Sequence, residues 1–93
     1  MNIIKIVKDY DAFPIRWILT TDEHKEITVR ERGKCVVYWG VKSIFSVTDE
    51  DIITIFDVEE QNDDNTLIEA LNKIGAVLLP EVLKNVKINY END

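Results

Sequence analysis

The order of apolar and polar residues divides the chain into a first two-thirds that reads as strands and a last third that reads as helix. Ile15 to Thr21 alternates, with Ile15, Trp17 and Leu19 on one side and Arg16, Ile18 and Thr20 on the other, which is the period of a β-strand. Ile3 to Lys8 carries two signals at once. Ile3, Ile6, Val7 and Tyr10 have helical spacing, but the β-branched content favours a strand. A strand is expected there. Asp11-Ala12-Phe13-Pro14 then turns the chain, because the residue before proline avoids the helical region.

Ile27 to Glu31 and Cys35 to Trp39 predict a hairpin around Arg32-Gly33-Lys34. A two-residue loop at Arg32-Gly33 would set Val29 against Val36 and Ile27 against Tyr38 on the core face. Thr28, Arg30, Cys35 and Val37 would then lie on the other face, and Trp39 would stand opposite Glu26 on that outer side. Ser43 to Val47 leads into a turn at Thr48 to Asp51. Ile52 to Val58 follows and is apolar on both faces, as a central strand is.

Asp64 or Asn65 caps a helix from Thr66, in which Leu67, Leu71, Ile74 and Leu78 form one stripe that Ile68 widens. Gly75 weakens this helix or ends it. Pro80 starts a short second helix, Glu81 to Lys84, and Val86 to Tyr90 is a last strand or docked tail. The expected class is α+β. An antiparallel sheet of five to seven strands is packed by a C-terminal helix, itself followed by a short helix or strand, in a single domain spanning residues 1–93.

Composition narrows the function more by exclusion than by assignment. The longest apolar runs, Val36-Val37-Tyr38-Trp39 and Ala76-Val77-Leu78-Leu79, are far short of the ~20 residues of a membrane span. Lys5, Lys8 and Asp9 interrupt the first apolar stretch, unlike a signal peptide, so a cytoplasmic protein is expected. The single cysteine, Cys35, excludes an internal disulfide.

One Cys and one His cannot assemble a zinc site, and Asp57 to Asn65 lacks the glycine and the bidentate Glu of a calcium loop. In the predicted hairpin Cys35 and His24 lie at opposite ends, too far apart for a nucleophile and its base. The chain contains no phosphate-binding or nucleophile-elbow motif, and its carboxylates come in chain-local runs rather than as a separated pair. No catalytic residue, metal or cofactor is expected, and no motif is specific enough to assign a family.

Charge supplies the one positive signal. The net charge is −7. Met1 to Lys42 holds eight Lys/Arg and six Asp/Glu, whereas Ser43 to Asp93 holds three and twelve. Between Asp49 and Asp64 stand Asp49, Glu50, Asp51, Asp57, Glu59, Glu60, Asp63 and Asp64, with no basic residue among them. Such a one-sided field repels nucleic acid and steers a basic protein. Its two sub-clusters flank the Ile52 to Val58 strand and so imitate spaced phosphates.

The expected function is therefore a non-enzymatic, acidic inhibitor that occludes a basic surface, such as a nucleic-acid-binding site, of a larger partner. Trp39 or Tyr38 would be its apolar anchor. In size and acidity alone the chain resembles phage anti-defence proteins and toxin-neutralising immunity proteins. The alternative is a structural or assembly subunit that oligomerises, for instance as a homodimer, through a strand edge or a helix face.

Overall fold

The first five strands form an antiparallel meander, and the rest of the chain returns to its far side. The computed structural model describes residues 1–10, 15–32, 34–58 and 63–90, with side chains other than those of 9–10, 32, 63–64 and 87–90. Its strands are β1 (Asn2–Tyr10), β2 (Ile15–Thr21), β3 (Glu26–Arg32), β4 (Lys34–Trp39), β5 (Ile52–Asp57), β6 (Val77–Leu78) and β7 (Lys87–Tyr90). Its helices are α1 (Asp63–Lys73) and α2 (Pro80–Lys84), with a 3-10 turn at Ile44–Ser46. The expected turn at Asp11 to Pro14 lies outside the described residues.

The sheet is mixed and curled rather than purely antiparallel. Its order is β5-β4-β3-β2-β1-β6, and β7 also pairs with β1. Strands β6 and β7 both run parallel to β1, at Asn2 to Ile3 and at Val7 to Tyr10 respectively. The physical reason is the crossover. Strand β5 lies at one edge and β6 at the other, so α1 has to carry the chain across the core face, and such a return permits parallel pairing.

Two bulges account for the places where periodicity misleads. Ile3 pairs with Thr21 but Lys5 with Thr20, so Ile4 is an extra residue on β1. Ile3 and Ile6, three apart, are both buried, whereas Ile4 is exposed. Their helical spacing is thus produced by a bulged strand. In the same way Val37 pairs with Thr54 and Tyr38 with Ile52, which leaves Ile53 extra on β5. Ile53 and Phe56 both pack on the core. The two-sided apolar pattern of this segment belongs to a bulged edge strand, not to a central one.

The β3–β4 register is also one residue from the expected one. Ile27 pairs with Trp39, Val29 with Val37 and Glu31 with Cys35. Val37 and Cys35 therefore join Ile27 and Val29 in the core, and Trp39 lies on that same side, partly buried. Pairing of Arg32 with Lys34 leaves only Gly33 between the strands, and Gly33 lies outside the described residues.

On the core face Leu67, Ala70 and Leu71 of α1 cover Trp17, Leu19, Ile27, Val29 and Val37. Burial at this scale is the main stabilising term, about 1.5–3 kcal/mol per large apolar side chain. Ile68 points to solvent and does not widen the stripe. Gly75, at φ 69°, ends the helix. Its N–H donates to the carbonyl of Asn72, and the Ala76 N–H donates to that of Leu71, a paired C-terminal cap requiring a left-handed residue. Leu78 falls in β6, beyond the helix. Pro80 opens α2, as expected.

Candidate functional site

Among the described residues neither α1 nor α2 packs on the opposite face of the sheet, and the segment after β4, with its 3-10 turn, folds over part of it. Thr28 and Tyr38 face that way and are fully buried. The Thr28 hydroxyl donates to the Gly40 carbonyl at 2.6 Å, and the Tyr38 hydroxyl donates to the Lys42 carbonyl at 2.8 Å. Gly40, at φ 90°, allows the reversal that lets its N–H donate back to Glu26. Tyr38 is thus a fastener for the Gly40 to Val47 segment. Its burial removes it from the exposed surface, contrary to its expected role as an anchor.

The turn that follows is organised by Asp51. One oxygen of its carboxylate accepts from the Lys42 ammonium at 2.8 Å and from the Thr48 N–H and hydroxyl, each at 3.1 Å. These bonds favour the ionised form, the Lys42 bond most, and hold the carboxyl down at about 2. The Thr48 to Asp51 reversal is therefore a turn closed by a side chain. Its N–H at Asp51 donates to the Thr48 carbonyl, and the Asp51 carbonyl accepts from Trp39.

Strand β5 leaves this turn and runs along the edge of the sheet. Asp49 and Glu50 are exposed just before it, and Asp57 is exposed at its end. Six residues at 3.3 Å each span about 20 Å. The Asp57 carboxylate stands 3.8 Å from the Lys34 ammonium, with both side chains largely in solvent. Such a pair contributes little. Two of the acids read as one surface are thus engaged with lysines of the first half, Asp51 closely and Asp57 loosely. Glu59 and Glu60 lie outside the described residues, as do the side chains of Asp63 and Asp64, whose backbone forms the first turn of α1.

Trp39 is not where the expected register put it. It lies on the core side of β4, and its ring faces the Lys25 ammonium at 5.9 Å. With Met1, Thr21, Asp22, Glu23 and Lys25 it lines an open depression of about 220 Å³. The acids flanking β5 and the two proposed anchors do not form one constellation.

Sequence periodicity missed a second feature. Phe45, in the 3-10 turn, is 96% exposed. With Ile44, Val36, Arg30 and Lys34 it lines an open groove of about 340 Å³ on the outer face. The available signal was Ser43-Ile44-Phe45-Ser46, apolar residues stranded between polar ones with no alternating neighbours to bury them.

Cys35 is fully buried and reduced. Burial first, then the negative charges of Glu31 and Glu69, push its thiol up to about 12, so it is no nucleophile at neutral pH. His24 sits in the exposed β2–β3 turn at φ 63°. Among the described residues no helix is long and apolar enough to cross a membrane, and no group of three or more His, Cys, Asp or Glu could hold a metal ion. No family model matches the chain, and neither a curated protein nor a solved structure matches it.

Proposed function

We propose that the chain is a non-enzymatic protein-binding domain of inhibitor type, which lays the β5 end of its sheet over a basic surface of a larger protein. One juxtaposition carries this reading: a sheet edge that no other described strand pairs with, with exposed carboxylates at both ends and an exposed Ile55 between them. An edge strand offers its unpaired N–H and C=O groups to a partner's backbone. Asp49 and Glu50 at one end and Asp57 at the other favour a positively charged partner and speed its approach. A spacing of about 20 Å suits a nucleic-acid-binding surface, with the carboxylates in place of phosphates. Occlusion needs no reacting group. Ile55 is the apolar contact, in place of Tyr38 and Trp39.

The test is capture from lysate of the source cells with the wild-type chain and with the triple variant D49K/E50K/D57K. All three side chains are exposed, so the variant keeps the fold. The wild type is expected to retain a basic protein that salt releases and the variant does not retain. Equal retention by both would overturn the occlusion reading.

A second reading, an assembly subunit, is favoured by apolar exposure at the other sheet edge. Val77 of β6 is 54% exposed and Leu79 53%, with Ile4 and Met1 also exposed. Two different open edges on one sheet permit head-to-tail association. Sedimentation velocity over a wide concentration range separates the readings: a constant monomer eliminates the assembly subunit, and growth with concentration supports it.

A further inference from the structure

Register brings an excess of positive charge to one patch of an otherwise acidic molecule. Across the outer face Asp9 pairs with Arg16, Arg16 with Arg30, Arg30 with Val36, and Val36 with Ile55, and Arg16 has interactions of its own. Like charges directly opposite on neighbouring strands are destabilising unless something answers them. Arg30 is half-buried, and no hydrogen bond or ion pair holds its guanidinium among the described residues. Lys34 stands nearby and is only loosely engaged by Asp57 at 3.8 Å. Beside these cations Phe45 projects almost wholly into water, with Ile44 and Val36 as the floor. An exposed phenylalanine contributes nothing to this fold, and its area becomes favourable only when covered.

We propose that this groove binds an acidic–apolar peptide segment of a partner protein, with a carboxylate on Arg30 and an adjacent aromatic or aliphatic side chain against Phe45. A guanidinium accepts a carboxylate through two parallel bonds, which fixes the segment's orientation. The neighbouring apolar surface supplies the affinity that one charge pair lacks. Single-stranded nucleic acid also uses arginine and aromatic side chains. Here Asp49, Glu50 and Asp57 flank the edge strand that pairs with β4 beside the groove, and a chain of phosphates would meet them. A peptide bearing one or two carboxylates avoids that repulsion. The groove is open rather than enclosed, which suits a segment of a larger partner better than a small organic acid needing burial on most sides. The inference rests on the groove of the outer face and does not require the proposed contact through β5.

Selection from a random heptapeptide phage library against the full chain tests it, followed by NMR titration with the winning peptide and with an eight-nucleotide oligothymidylate. The expected winners carry Asp or Glu beside an aromatic or aliphatic residue. They shift the amides of Arg30, Val36, Ile44 and Phe45. Their affinity falls about tenfold or more in F45S and in R30Q and stays within about twofold in D49K/E50K. Phe45 makes no buried contact, so F45S remains folded and keeps the comparison sound. Enrichment of basic peptides, equal binding by F45S, tighter binding of the oligonucleotide, or no enrichment over the F45S control would each overturn the proposal. Concentration-dependent shifts of the same amides without peptide would assign the groove to a second copy and overturn it as well.

Discussion

Asp51 is the residue on which the start of β5 depends. Its carboxyl lies at about 2 where the ordinary value is 3.8, chiefly because Lys42 bonds its ionised form. A carboxyl lowered by folding stabilises the native state above its unfolded value and loses that contribution as pH falls through the folded one. The turn is therefore expected to hold at pH 4 and to loosen as pH falls toward 2. The Thr48 amide resonance, followed by NMR, reads this directly, and D51N should abolish the transition. An unchanged Thr48 resonance from pH 5 to pH 1.5 would contradict the assignment. Cys35 has the opposite sign. Its thiol is raised from 9.0 to about 12, so any stability it confers persists below pH 9 and is lost as pH climbs toward 12. At pH 8 a thiol reagent should label Cys35 only as fast as the protein opens. Labelling at the rate of a free thiol would show the site to be accessible.

At the scale of elements, strands and helices were legible where one face alone is buried. Strand β2 follows its alternation, with Trp17 and Leu19 buried and Ile15 packed against them. Helix α1 follows Leu67 and Leu71, and α2 begins at Pro80. Bulges and registers were not legible. A single extra residue at Ile4 or Ile53 makes a strand imitate another period, and nothing local in the sequence marks it. The β3–β4 register turned on whether one or two residues join the strands, and that single step moved Val37, Cys35 and Trp39 across the sheet. The distinction between Leu67 and Ile68 is tertiary too, since both are good helix residues and only the sheet decides which is covered.

Leu67→Ala should destabilise by about 2–5 kcal/mol, whereas Ile68→Ala should change little, about 0.5 kcal/mol or less. Urea titration compares them, and equal effects would contradict the packing of α1. Gly75→Ala has open space around the new methyl but is strained at φ 69°. It should cost about 1 kcal/mol, read in the same titration, and no loss would mean that the helix ends differently.

For the whole molecule, the imbalance of charge between the two halves was plain in the sequence, but its distribution in space was not. Lys34 and Lys42, both from the first half, reach two of the acids that the sequence assigned to one free surface. What remains is more local than a negative face: carboxylates at the two ends of one open strand, with a cationic, apolar groove on the sheet beside it. The proposed function therefore concentrates at the β5 end. The Trp39 depression lies on the other face of the sheet from the groove and the β6–α2 end at the opposite edge, and neither is required for the proposed occlusion.

Amide hydrogen exchange of the complex with the captured partner tests that concentration most directly. Binding through β5 predicts slower exchange at alternate amides of Ile52 to Asp57, with Val77 to Lys84 unchanged. Protection confined to α1 or to Val77 to Lys84, with β5 exchanging as in the free protein, would contradict it.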